Sequence, residues 1–595
     1  MRTRLLLVVA VVAGLLAAAG VTNTTTANHG PRILYGYIPV AVGTEDATEL
    51  HYKLIFPDPA VHGDGPYPLV VDYSGYVPGA YIYDGLDHRF LAEGYAVAGV
   101  NMRGTGCSGG KFDYFEPLQS RDGKEAIDFL GSQPWSNGKV AMVGKSYPGI
   151  TQLFVAAQQP ERLTAIVPGH VFGDLYRDVP YPGGILNATF AGGWSAGRIT
   201  DQVTFLQSYP QFQADPVCVE NQAEHAPNPV FNPFVRAVQP QNNYDGALYH
   251  ERSPWYFADK IDVPTMLVES YQDEQVGSRA IELIERFRPG LPWRLVATNG
   301  DHGEYYGEHV FPHIVRFLSV YMKGGDAAAY EAEDKVAINW ETGANGGRRA
   351  AFSTTYSTWP PAEQQVWRLP LGADRVLGSD TPGQVDYTYA PGIGSQERGG
   401  FDIRDEPPAS WNDRPADGTH ATFTTAPLDA DKLFLGTASL DLWVSSTAAD
   451  TDFEVTLSEV RPDGQEMFIQ QGWLRASHRK EDPALSNPLR PFQTHLVTDV
   501  QPLVPLQATP MRIEIFPFGH AFREGSRIRV TVAAPHIRPD LWGFAALPTP
   551  ARNTIHTGPA HPSSLALPLL AGESAPTPLP PCTLRNQPCR AEPAA

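Results

Sequence analysis

Cysteine is scarce in this chain: four occur in 595 residues, Cys107, Cys218, Cys582 and Cys589. That excludes a small disulfide-dense scaffold, and the absence of two close cysteine pairs disfavours a zinc site. Cys582 and Cys589 enclose a short Pro-containing loop and are expected to pair; Cys107 and Cys218 are left to pair or to stay free, and spacing does not choose. Positive charge is also short. Against 65 Asp and Glu stand 45 Lys and Arg, a formal net charge of −20, which argues against nucleic acid and anionic membrane surfaces as partners. No internal repeat is visible, and no segment after the N-terminus approaches the length of a membrane span. Charged residues make up 18% and hydrophobic residues 42%, a balance that excludes a disordered chain. The length exceeds one compact domain.

The N-terminus reads as an export signal over residues 1–27. Arg2 and Arg4 form a basic start, Leu5 to Val21 is apolar, and small residues at Ala17 to Ala19, or at Thr25 and Ala27, precede candidate cleavage points. No cysteine follows, which disfavours a lipid anchor. The alternative is an uncleaved membrane anchor, for which the run is near the lower length limit. The expected localisation is secreted or extracytoplasmic.

What is abundant is chemistry around one serine. Val140 to Val143 is a short apolar run. It meets Gly144-Lys145-Ser146-Tyr147-Pro148-Gly149, and a helix-compatible apolar segment follows through Ala157. A strand, a sharp turn and a helix with serine at the apex form the setting in which Gly-x-Ser-x-Gly presents a nucleophile. The helix start supplies free N–H groups and a positive dipole end. The same Gly-Lys-Ser triplet fails as a phosphate-binding loop, because Lys139 stands where that motif needs glycine.

Strand and helix patterns alternate around this motif. Arg32–Val42, Glu49–Phe56, Pro68–Tyr73, Tyr95–Met102, Val140–Val143, Thr265–Glu269 and Trp293–Ala297 read as strands; Asp122–Leu130 and Pro312–Met322 read as helices, the latter stopping before Gly324-Gly325. The alternation implies an α/β domain over 32–168 and 262–330, with a mainly parallel sheet and helices on both faces. Residues 169–261 are rich in aromatic, Pro, Gly, Asn and Gln residues and interrupt the alternation, as an inserted cap would. From Asp334 onward period-two patterning takes over: Ala438, Leu440, Leu442 and Val444; Phe453, Val455 and Leu457; Met511, Ile513 and Ile515; Ile528, Val530 and Val532. This predicts an all-β sandwich over 334–568. The Pro- and Ala-rich end, 569–595, reads as an extended strap or a disordered tail.

A serine hydroxyl needs a base in hydrogen-bond reach and a carboxylate to orient that base. On a doubly wound sheet the acid and the base follow the serine in that order, at the ends of later strands. Asp273 follows the Thr265–Glu269 strand and is the expected acid, ahead of Glu269 and of Glu274, which is expected to face solvent or substrate. His302 follows the Trp293–Ala297 strand in a Gly-flanked loop and is the expected base. His309 and His313 read as surface or packing residues, and His170 as a structural histidine. Oxyanion donors are expected from the Tyr147 N–H and from the loop Tyr73-Ser74-Gly75-Tyr76-Val77-Pro78-Gly79.

With these residues in place the chain resembles the CocE/NonD-type serine hydrolases, which include cocaine esterase, the α-amino acid ester hydrolases, the glutaryl-cephalosporin acylases and the X-Pro dipeptidyl peptidases. The likeness runs from about Ile33 to about Pro568. It is carried by Asn101-Met102-Arg103-Gly104-Thr105-Gly106-Cys107-Ser108-Gly109-Gly110, by Gln133 to Val140, by Gly144 to Gln152, by Asp174-Leu175-Tyr176-Arg177-Asp178, and by Leu442 to Thr447 with Thr451-Asp452-Phe453. The resemblance implies an α/β-hydrolase domain with a helical cap and a C-terminal jelly roll. It also implies the triad Ser146, Asp273 and His302, and an oxyanion tyrosine. Tyr76 is the best match, although Asp72-Tyr73-Ser74-Gly75-Tyr76 departs from the family's Asn-Pro-Tyr and leaves Tyr73 open. Cys107 stands where the family commonly has a small or polar residue, as a branch-specific disulfide would require. The implied reaction is acyl transfer from a small-molecule ester or amide, or a peptide, to water, with no metal or organic cofactor. Esters rank first, and Xaa-Pro peptides or β-lactam amides second. Only Glu274 and Asp174 offer themselves for a substrate ammonium. A non-catalytic cell-surface binding protein is the reading from another class.

Overall fold

In the computed structural model the described residues are 32–76, 86–225, 242–391, 398–399, 410–411, 414–536 and 542–592. The expected export signal lies outside them. Among the described residues no helix is long and apolar enough to cross a membrane.

Ten strands build the first sheet: β1 (Ile33–Val40), β2 (Thr48–Ile55), β3 (Tyr67–Ser74), β4 (Ala96–Asn101), β5 (Ser136–Lys145), β6 (Leu163–Gly169), β7 (Thr265–Ser270), β8 (Trp293–Thr298), β9 (Val336–Trp340) and β10 (Phe352–Tyr356). Their order is β1-β2-β4-β3-β5-β6-β7-β8-β9-β10. From β4 to β9 all neighbours are parallel; β1, β2 and β10 add antiparallel edges. The helices used below are α1 (Pro117–Gly131), α2 (Tyr147–Ala156), α3 (Ala188–Val203), α4 (Pro216–His225) and α5 (Phe311–Lys323).

Central strands are apolar on both faces because both faces are covered. Leu69, Val71, Val140 and Met142 pack with Ala126, Ile127 and Leu130 of α1 and with Ile150 and Leu153 of α2. Their neighbours Val70, Ala141 and Val143 point the other way, onto Ile314, Phe317 and Leu318 of α5. Helix α5 ends at Gly324, whose φ of 80° closes the last turn.

The second all-β unit is a pair of antiparallel sheets. One joins Gln364–Pro370, Ser564–Leu570, Lys432–Ser446, Ala551–Thr557 and Gly383–Tyr389, with Thr509–Phe522 also on Lys432–Ser446. The other joins His420–Thr424, Arg527–Ala533, Asp452–Val460, Gln465–Arg475 and Cys589–Ala591. The alternating residues Ala438, Leu440, Val455, Ile513 and Val530 meet in one core between them.

One boundary differs from the sequence reading. Val336–Trp340 and Phe352–Tyr356 extend the first sheet and do not begin the sandwich. Short strands in either unit can share a period-two pattern, so pattern alone misplaces the boundary. The tail through Glu592 is an ordered strap that ends in a strand paired with Gln465–Met467. Both disulfides form: Cys582–Cys589 within the strap, and Cys107–Cys218, which fastens the loop after β4 to α4 of the cap.

Candidate active site

Strand β5 delivers Ser146 at φ 61° and ψ −134°, a region that strains any residue with a Cβ. The turn is pinned from several sides. The Ser146 N–H donates to Gly169 O at 2.9 Å, and Gln152 Nε2 donates to Gly144 O at 3.2 Å. The Tyr305 hydroxyl bridges Gly144 N–H and Val167 O. A Cβ on Gly149 would sit 2.4 Å from Gly169 O, so the helix can approach β6 only with glycine there.

Tyr76 stands over the serine, its hydroxyl 2.8 Å from Ser146 Oγ. Its backbone is held by Ser74 Oγ, which accepts the Tyr76 N–H, and by Asn101 Nδ2, which donates to Tyr76 O. A Cβ on Gly75 would fall 1.9 Å from the Tyr147 ring, which explains the Ser-Gly-Tyr order. Tyr73 points elsewhere: it is buried and donates to Gln119 O at 2.9 Å. The Tyr147 N–H begins α2, where no preceding turn supplies an acceptor.

Asp273 and His302 come together as the sequence suggests. His302 Nδ1 lies 2.7 Å from Asp273 Oδ2, while Asp273 Oδ1 accepts the N–H groups of Gln275 and Val276 at 2.8 and 3.0 Å. Burial works against the Asp273 carboxylate. The facing His302 charge and the hydrogen bonds from His170 and His302 outweigh burial and hold the group far below the usual carboxylate range. Lys145, next to the serine, donates to His302 O at 3.1 Å and so ties the two loops together. His302 Nε2 is buried without a hydrogen-bond partner, and the serine hydroxyl engages Tyr76 instead. Ser146 and His302 are therefore on loops tied together through Lys145 without being hydrogen-bonded to each other; bonds between such groups often tighten only with substrate bound.

Sequence reasoning missed two partners. His170, read as a structural histidine, is buried against the expected acid: its Nδ1 lies 3.2 Å from the same Asp273 oxygen. Burial lowers its imidazole to about 4 despite that contact, so it is neutral at pH 7. Glu274 is half-buried rather than free in solvent. It turns inward to accept the His302 N–H at 3.1 Å and Asn586 Nδ2 at 3.2 Å. Burial, with like charge from Asp273 and Asp301, pushes Glu274 up to about 8. The remaining alternatives are placed apart. Glu269 accepts from Val171 N, and His309 bridges Thr298 Oγ1 and Arg348 O. Asp174 caps a short helix and pairs with Arg177 at 2.6 Å.

Ligating atoms of His170, Asp273 and His302 lie within 4.8 Å of one another, a spacing a metal ion could bridge. Both histidines already direct Nδ1 at one carboxylate oxygen, so protons account for the cluster. Around Tyr76 the cap contributes Trp194, its ring 6.4 Å from Tyr76 and 6.0 Å from Tyr147, beside Tyr114 and Phe115.

Residues 46–304 match the X-Pro dipeptidyl-peptidase (S15) family, and residues 328–566 match the X-Pro dipeptidyl-peptidase C-terminal non-catalytic domain. A Mycobacterium bovis protein provisionally named a serine esterase is 27% identical, covering 81% of this chain and 84% of its own length. The cocaine esterase of Rhodococcus is 25% identical over 89% of this chain and 98% of its own. The crystal structure of a CocE/NonD family hydrolase from Staphylococcus aureus shares the fold, with a TM-score of 0.70 at 19% identity, covering 90% of this chain and 94% of that one. With both halves of the S15 architecture present and serine esterases among its relatives, the chain belongs to the CocE/NonD-type family and is a serine hydrolase.

Proposed function

We propose that this serine hydrolase cleaves carboxylic esters through Ser146, His302 and Asp273. Ser146 Oγ attacks the ester carbonyl carbon while His302 Nε2 takes its proton. Asp273 holds the tautomer with Nδ1–H and stabilises the imidazolium. The Tyr147 N–H and the Tyr76 hydroxyl donate to the tetrahedral oxyanion. His302 then protonates the leaving alcohol, and water repeats the sequence on the acyl-enzyme. In the resting site Tyr76 already touches Ser146 Oγ, so the incoming carbonyl oxygen replaces the serine as its partner. That exchange frees the hydroxyl for the unpartnered His302 Nε2.

The observation that carries this reading is a strained serine within hydrogen-bond reach of a phenol, beside a buried Asp–His pair. Esters are favoured over Xaa-Pro peptides because both carboxylates offered for a substrate ammonium are engaged. Asp174 is held by Arg177, and Glu274 by His302 N–H and Asn586. The aromatic group Tyr76, Trp194 and Tyr114 suits an apolar acyl or alcohol moiety. A side-by-side assay of p-nitrophenyl acyl esters and Xaa-Pro-p-nitroanilides tests this; higher kcat/KM on the anilides would overturn the ranking. A fluorophosphonate should label Ser146 in the wild type and nothing in Ser146→Ala.

We also propose that the mature enzyme is exported. The basic start and apolar run support this, as do two disulfides among four cysteines. N-terminal sequencing of enzyme from the native producer should begin near residue 28 and find it outside the cytoplasm. An intact Met1 on cytoplasmic protein would refute it.

A further inference from the structure

The strap beyond Leu570 lies past the last residue matched by either family domain, 566, yet it reaches the loops that carry the candidate acid and base. Arg585 Nε donates to Glu304 Oε1 at 2.6 Å and Nη2 donates to Asp301 Oδ2 at 2.5 Å. Asp301 and Glu304 flank His302. The adjacent Asn586 sends Nδ2 to Gln272 O at 2.5 Å and to Glu274 Oε2 at 3.2 Å. Gln272 and Glu274 flank Asp273. Two consecutive strap residues thus grip both neighbours of the acid and both sides of the base.

The grip is itself anchored. The Arg585 N–H donates to Thr342 O at 2.9 Å, and the Phe468 N–H donates to Pro588 O at 3.0 Å. Cys589–Ala591 adds a strand to Gln465–Met467, and Arg590 Nε donates to Glu466 Oε2 at 2.9 Å. Leu584 and Gln587 are fully buried. The Cys582–Cys589 disulfide closes the loop around Arg585 and Asn586. The sandwich therefore presents these two side chains on a fixed frame.

We infer that the disulfide-closed loop Cys582–Cys589 is a positioning element for the acid–base pair, with Arg585 and Asn586 setting the spacing between the Asp273 and His302 loops. This rests on the assignment of those two residues proposed above. Tyr76, beside Ser146, and Trp194, packed against Tyr76, are not among the described hydrogen-bond partners of Arg585 and Asn586. Loss of the strap's grip should therefore slow chemistry and leave substrate binding in place. A misplacement near 1 Å costs on the order of 10²-fold in rate.

The test compares Asn586→Ala, Arg585→Ala, Arg585→Lys and the double variant Cys582→Ser/Cys589→Ser with the wild type on one p-nitrophenyl ester. The expected result is a kcat lower by about 10- to 100-fold in the alanine and double variants. KM should stay within about twofold, fluorophosphonate labelling should slow in parallel, and Arg585→Lys should recover part of the loss. Folded variants with unchanged kcat would overturn the inference. So would a loss carried by KM, or one that merely follows the unfolded fraction seen by circular dichroism. Asp273→Asn and His302→Ala run alongside. If they keep full activity, the acid–base assignment itself fails; if they abolish activity while the strap variants turn over normally, the strap inference alone falls.

Discussion

The serine and the histidine of this site are held in different ways. Ser146 is held by its own neighbourhood: a strand, a helix, the Gly169 carbonyl and a glycine that admits close packing, nearly all within residues 144–169. His302 and Asp273 are held from afar. Arg348 pairs with Asp301 at 2.8 Å and with Glu304 at 3.0 Å, Arg585 meets the same two carboxylates, and the Asn299 amide donates to Gly519 O of the sandwich at 2.7 Å. Backbone geometry fixes the proposed nucleophile, whereas the loops of the proposed acid and base are braced by Arg348 from the β9–β10 turn, by the tail and by the sandwich, whose Gln470 Nε2 donates to Tyr271 O at 2.7 Å. The second unit is a structural part of the site even though it supplies none of the proposed reacting groups.

That contrast can be broken at several points. Asp273→Asn should reduce kcat/KM by roughly 10⁴-fold, because an amide stabilises neither the tautomer nor the imidazolium; ester hydrolysis by a variant of normal circular dichroism measures it. Tyr76→Phe removes one donor and should cost about 10²–10³-fold in kcat with little change in KM. A loss confined to KM would recast Tyr76 as a substrate-binding side chain. Breaking the cap tie with Cys107→Ala/Cys218→Ala should destabilise by up to about 5 kcal/mol in chemical denaturation on the loop-entropy account. The loop it closes spans 111 residues. Because this tie lies outside both holding systems, residual kcat per folded molecule should stay high.

The smallest expected effect concerns His170. Its folded imidazole titrates near 4 rather than 6.5, so between those values the unfolded chain binds more protons. The His170 contribution is fully present above pH 6.5 and is lost as pH falls through that window. Relative to His170→Gln, the wild type should lose about 2–3 kcal/mol of stability between pH 7 and pH 4.5. Parallel stability curves for the two proteins would show that His170 is not held neutral.

The elbow was legible because its signals are local: an apolar run, two glycines and a helix start in about 18 residues. Asp273 and His302 were legible because each follows a recognisable strand. What supports them was not. His170 contacts Asp273 across 103 positions and Asn586 contacts Gln272 across 314, and no periodicity carries that information. Glu274 looked free because its partners, the His302 N–H and Asn586, are contributed by other segments. The Pro- and Ala-rich end read as an extended strap or a disordered tail, and its two cysteines marked a closed loop, but nothing in it pointed to the partners of Arg585 and Asn586. The all-β unit was read as starting at 334, ahead of β9 and β10, because short alternating strands fit either sheet.

The central claim is that a locally strained serine and a remotely braced acid–base pair converge on one carbonyl carbon. A crystal structure of the enzyme inactivated with an ester-like phosphonate tests it most directly. The account expects phosphorus on Ser146 Oγ, with the phosphoryl oxygen about 3 Å from both the Tyr147 N–H and the Tyr76 hydroxyl. It also expects His302 Nε2 to be newly engaged at the reaction centre. Phosphorus on another residue, or a Ser146 adduct with His302 Nε2 still unpartnered and the phosphoryl oxygen turned away from Tyr76, would contradict it.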